Sequence, residues 1–161
     1  MDAIELLTSQ HRSLEALMKA WMDGPQSQRE SLFKRVGDEL TVHLASEEQI
    51  FYPAVKEKRT EDILLESLEE HLSLKRVLAD LVELKPDDAA FEPKFHVLKE
   101  QAEHHHKEEE ENLFPKVRKL LEPMALDTLG RQMQALQQQL KREGDPREMV
   151  TEQTDKAAPL D

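Results

Sequence analysis

Two segments of the 161-residue chain carry one pattern 62 positions apart. The first is His43-x-x-x-Glu47 followed by Phe51-Tyr52-Pro53, and the second is His105-x-x-x-Glu109 followed by Leu113-Phe114-Pro115. Groups at i and i+4 share one face of a helix about one turn apart. Each motif is preceded by a lone histidine in a matching neighbourhood, His11-Arg12-Ser13-Leu14 and His71-Leu72-Ser73-Leu74. The order along the chain is therefore His, HxxxE, His, HxxxE. Four helices that each turn one such face inward bring four imidazoles and two carboxylates to one level.

Apolar periodicity supplies the four helices. The first is expected from about Ile4 to Met22, with Ile4, Leu7, His11, Leu14, Met18 and Trp21 on one stripe, stopped by Gly24-Pro25. The second is expected from Arg29 to Lys58, with Phe33, Val36, Leu40, His43, Glu47, Ile50 and Ala54 inward and a kink at Pro53. The third follows a Thr60 cap and carries Leu64, Leu68, His71, Lys75, Leu78 and Val82, ending at Pro86-Asp87-Asp88. The fourth carries Phe95, Leu98, Ala102, His105, Glu109 and Leu113, and Pro115 disturbs its end. Short connections favour an all-α, up-down-up-down four-helix bundle over residues 1–122. A fifth, amphipathic helix is expected over 123–144, with Leu126, Leu129, Met133, Leu136 and Leu140 on one face. Residues 145–161 lack apolar periodicity and read as a disordered polar tail.

His11, His43, Glu47, His71, His105 and Glu109 all stand where the stripes expect Leu or Ile. A buried, unpaired carboxylate costs several kcal/mol, and two facing each other cost more. Metal ions offset that cost. The competing reading, in which these acids and imidazoles pair with one another or face solvent, suits any one of them better than all six in a repeated order. A one-residue slip would put His104 or His106 in place of His105. His96 lies off the stripe, and Glu108 to Glu111 read as a solvated face apart from Glu109. Tyr52, the only tyrosine, is either an edge-of-core residue, a phenol just behind the ligands or an added oxygen ligand.

Six mixed ligands exceed a tetrahedral zinc site. Calcium and magnesium prefer all-oxygen shells. Imidazole with carboxylate and open positions suits iron, with manganese behind it. Two octahedral ions offer twelve positions. Four imidazoles, two bridging carboxylates and one bridging oxo or hydroxo group fill ten, so two stay open.

The order His11, His43-x-x-x-Glu47, His71, His105-x-x-x-Glu109 resembles the hemerythrin-like (HHE cation-binding) family over about residues 1–120. The resemblance implies a four-helix bundle around a non-haem di-iron centre. It implies as ligands one His from each of the first and third helices and a His/carboxylate pair from each of the second and fourth. Oxygen-carrying hemerythrins have a second His on the third helix, one turn from the first. Here Ser67 and Lys75 occupy those turns, which gives a four-His, two-Glu subtype and argues against simple oxygen carriage. Lys75 is expected either to donate a proton near bound peroxide or to reach out to solvent.

The implied function is reaction with, or binding of, O2, H2O2 or NO, with catalase-like peroxide decomposition the most concrete form. The alternative is a non-catalytic oxygen- or iron-binding, storage or sensor module. A formal net charge of -12 argues against nucleic acid and anionic membranes as partners. No cysteine is present, so thiolate metal sites and disulfides are excluded. Neither a signal peptide nor an 18-residue apolar run is read, so a cytoplasmic monomer or homodimer is expected.

Overall fold

The computed structural model describes residues Met1–Asp161, and every regular element is helical. Helix α1 spans Ala3–Asp23 and opens with a capping box. Asp2 accepts from the Glu5 amide, and Glu5 accepts from the Asp2 amide. Helix α2 (Arg29–Ser46) runs through a wide π-turn at Glu47–Phe51 into α3 (Tyr52–Val55). Helix α4 spans Glu61–Glu83. Helix α5 (Phe91–Glu108) runs through a second π-turn at Glu109–Leu113 into α6 (Phe114–Leu120). These rods form the expected four-helix bundle. Helix α7 (Pro123–Glu143) packs across α1 and α2 as the additional helix.

The π-turns correct one detail of the sequence reading. In each, the amide after the turn reaches back five residues, Tyr52 to the Glu47 carbonyl and Phe114 to the Glu109 carbonyl. One extra residue per turn shifts the inward stripe by one position. Beyond Glu47 the buried residues are therefore Phe51, Tyr52 and Val55, while Ile50 is only half-buried and Ala54 is exposed. Pro53 and Pro115 lie just past the wide turns, where each fits the first turn of the following helix without a sharp break.

Thr60 does not cap α4 through its side chain. Its hydroxyl donates to the Val55 carbonyl and accepts from the Glu57 amide, so it ties the α3–α4 turn instead.

The C-terminal segment expected to be disordered is folded against the bundle. A short helix α8 (Pro146–Met149) leads into a 3-10 turn at Val150–Glu152, and the Val150 side chain enters the core beside Val36, Leu78 and their neighbours. Arg147 makes a two-pronged pair with Asp38, at 3.1 Å for each oxygen. Gly37 gives it room, because a Cβ there would lie 3.0 Å from the Arg147 Cβ. Arg76 donates to the carbonyls of Thr154 and Asp155. Polar ties to bundle side chains replace the apolar repeat that the sequence lacks.

Two apolar clusters fill the bundle. One groups Leu14, Trp21, Phe33, Leu40, Leu78 and Phe95 with their neighbours at one end, and the other groups Leu7, Phe51, Leu64, Leu113 and Phe114 at the other. Between them lies a polar layer.

Candidate metal centre

The polar layer contains all six residues singled out above. His11 comes from α1, His43 from α2, Glu47 from the first π-turn, His71 from α4, His105 from α5 and Glu109 from the second π-turn. All six are buried. Sequence placed them on inward stripes, and the structure brings them into contact.

Each imidazole presents Nε2 to the interior. His43 Nε2 lies 3.5 Å from Glu47 Oε1, and His71 Nε2 lies 3.1 Å from the same oxygen. His11 Nε2 lies 3.2 Å from Glu109 Oε1, and His105 Nε2 lies 3.6 Å from it. Each carboxylate therefore spans two histidines that belong to different sets. His11, His43, Glu47 and Glu109 form one set whose donor atoms all lie within 4.8 Å of one another, and Glu47, His71, His105 and Glu109 form another. The two sets share both carboxylates.

The opposite ring nitrogens are anchored. His11 Nδ1 is 2.8 Å from Glu110, His43 Nδ1 2.8 Å from Gln10 Oε1, His71 Nδ1 2.8 Å from Glu48 and His105 Nδ1 2.7 Å from Glu70. An acceptor at Nδ1 puts the proton there and leaves the Nε2 lone pair facing inward, the usual support for a metal-binding imidazole. Gln10 is in turn held by Gln137 of α7, which also donates to Ser46. The additional helix thus reaches the centre through Gln137 and Gln10. Arg12 pairs with Glu110 on the outside.

The inner atoms lack such partners. His11 Nε2, His43 Nε2, both oxygens of Glu47 and Glu109 Oε1 are buried without a hydrogen bond. Native interiors seldom leave so many polar atoms unpaired in one place. Two cations between the shared carboxylates would pair all of them, so the donor set fits a two-metal centre. The protonation pattern without metal points the same way. Burial, then the neighbouring Glu109 charge, pushes Glu47 well above the ordinary carboxylate range. Burial also acts to raise Glu109, but the neighbouring His105 and His11 charges outweigh it and hold Glu109 low. Burial and the adjacent His11 depress His43. Burial alone would lower His105, yet Glu109 and Glu70 raise it.

Tyr52 is inside the centre, not at the core edge. Its hydroxyl donates to Glu109 Oε2 at 2.5 Å and sits 3.2 Å from His71 Nε2. Burial, then the Glu109 charge, raises its pKa well above that of an ordinary phenol, so it stays protonated. Lys75 is placed differently from both expectations. It is buried, 4% exposed, and its ammonium donates to Glu48 Oε1 at 2.8 Å while Glu48 Oε2 meets His71 Nδ1. It stands behind the His71 ring and reaches the centre only through Glu48.

Of the neighbouring histidines, His104 is 68% exposed and 3.9 Å from Glu70. His106 is buried and stacks on His11. Glu48, Glu70, Glu110 and Gln10 were not singled out from sequence, although a signal exists. Gln10 and Glu70 immediately precede the lone histidines, and Glu48 and Glu110 immediately follow the motif glutamates.

Comparison with known proteins places the chain in a family of cation-binding domains. The profile of the hemerythrin HHE cation-binding domain matches residues 2–117. A crystal structure of a hemerythrin HHE cation-binding domain-containing protein from Mycobacterium kansasii superposes with a TM-score of 0.78. It shares 23% identity and covers 94% of this chain and 98% of its own, which supports the fold. No curated protein matches the sequence.

Proposed function

Because this chain belongs to the hemerythrin HHE cation-binding family, we propose that its polar layer holds two iron ions and that the protein reacts with O2, H2O2 or NO. The observation that carries this reading is the crossed pairing of Glu47 with His43 and His71, and of Glu109 with His11 and His105. Carboxylates that span two imidazole sets are placed to bridge two ions. Iron bound there supplies redox cycling and positions for small ligands that the protein leaves open.

The chain's own residues do the rest. The Nδ1 acceptors fix the four rings so that little reorganisation accompanies binding. The two apolar clusters keep bulk water from the layer. Tyr52 holds a proton at its hydroxyl beside Glu109 and His71, where a reduced oxygen species needs one. Peroxide decomposition, in which two H2O2 give two H2O and one O2, is the most concrete form of this reading. Tyr52 replaces Lys75 as its proton-bearing side chain. The complete burial of the six residues also suits passive binding of a diatomic ligand, which is the second reading. No helix is long and apolar enough to cross a membrane.

The test is elemental analysis of the purified protein followed by oxygen evolution from H2O2. Two irons per chain and catalytic oxygen release support the first reading, and two irons without release support the second. A single zinc, or no metal after iron loading, refutes both.

A further inference from the structure

The histidine triplet contributes a second imidazole to the layer. His106 is 1% exposed, and neither of its ring nitrogens has a hydrogen bond. Its nitrogen and those of His11 and His43 lie within 4.8 Å of one another. The ring stacks on His11 at 3.9 Å between centroids and meets His43 edge-on at 5.8 Å. The nearest acid is Glu15, 3.8 Å from Nδ1 and beyond hydrogen-bond range. The other buried imidazoles of the layer each have an anchored Nδ1, so His106 alone is unsupported on both sides.

Its position on α5 explains how two successive residues can both face a centre. Neighbouring side chains on a helix diverge by about 100°. Helix α5 packs against α4 on one side and α1 on the other. His105 accordingly turns to His71 of α4, with 3.1 Å between their Nε2 atoms, and His106 turns to His11 of α1. With a single metal one of the two rings would be redundant. With two, each ring could serve a different one.

We propose that His106 is a fifth imidazole of the centre, binding the ion that His11 and His43 hold. The assignment rests on the two-iron reading above. It would bring a third imidazole to the His11 and His43 end of the centre, and with two carboxylate oxygens and one bridging oxygen that ion would have six donors. The one open position would then lie at the His71 and His105 end, where the Tyr52 hydroxyl stands.

Azide titration of the oxidised, iron-loaded protein reads the number of open positions directly. The parent is expected to take one azide per two irons, and His106→Ala two. Added imidazole should return the alanine variant to one. His106→Phe keeps the ring volume and guards against a folding failure. Its metal-free form should melt roughly 2–10 °C above the parent, because an unpaired buried imidazole is gone. Its melting rise on iron loading should be smaller than the parent's. If both variants take one azide and show the parent's iron-induced rise, His106 only packs against His11 and the proposal fails. A parent that holds two irons yet takes two azides also overturns it. A parent that does not hold two irons overturns the function reading, and this assignment falls with it.

Discussion

Removing Glu48 should cost far more than removing Glu48 and Lys75 together. Glu48 joins two groups that cannot stand alone in the interior. One oxygen accepts from the Lys75 ammonium and the other from His71 Nδ1, each at 2.8 Å. Burial acts to raise the Glu48 pKa, but His71 and Lys75 outweigh it and keep the carboxylate ionised. In Glu48→Ala the ammonium is left buried without a counter-charge, a change worth about 3–5 kcal/mol. The freed His71 N–H adds about 1 kcal/mol or more. Lys75 can recover part of this by reaching outward, so a net loss of about 3–5 kcal/mol is expected. For a chain of this size each kcal/mol shifts the melting temperature by about 2–4 °C, which gives a fall of roughly 6–20 °C. In Glu48→Ala/Lys75→Met no charge is stranded, and only the His71 anchor and a small cavity remain, about 1–2 kcal/mol. The double variant should therefore melt above the single one. Thermal unfolding of the metal-free proteins by circular dichroism separates the two. A chelator competition should also show iron affinity about 10- to 100-fold weaker in both, because His71 loses its support. If single and double variants melt together, or the single loses less than about 1 kcal/mol, the buried pair does not hold this wall of the site.

Two further outcomes follow from the same geometry. The Glu47 pKa is raised above the ordinary 4.5 in the metal-free fold, so its contribution to stability is complete below that value and lost as pH rises through the folded value. Metal-free Glu47→Gln should accordingly melt above the parent at pH 8, with the gap closing towards pH 4.5; a pH-independent gap refutes the linkage. Truncation after Gly144 removes buried Val150 and the Arg147–Asp38 pair. Burying a valine is worth about 1.5–3 kcal/mol, so melting should fall by roughly 3–12 °C, and an unchanged value means that the segment does not seal the core.

The bundle was legible because its apolar stripes keep the helical period and because polar residues interrupt them at repeated places. His43 with Glu47 and His105 with Glu109 declare a shared face by spacing alone. The supports were harder to see. Glu48 and Glu110 lie about 100° off the inward stripe, where an acid reads as solvent-facing. Their side chains are long enough to reach a ring on the neighbouring helix, which only the packed arrangement shows. His106 was hidden by a similar assumption, that a helix turns one face inward. A helix with a partner on each side turns two. The C-terminal segment carries no period at all, and it is attached by Arg76, Arg147, buried Val150 and the packing of Ala157, Ala158 and Leu160 on the second apolar cluster.

The wide turns at Glu47–Phe51 and Glu109–Leu113 make the address of Tyr52 a matter of counting. Everything upstream, including His43 and Glu47, is phased by the ordinary helix. Everything downstream is phased by one residue more. Closing that turn to an ordinary one at unchanged length would swing Tyr52 by about 100° and carry its hydroxyl off Glu109, whereas deleting exposed Gln49 as well would put Tyr52 four residues after Glu47 and keep it facing inward. The match between the width of that turn and the number of residues in it decides whether a proton-bearing phenol faces the centre.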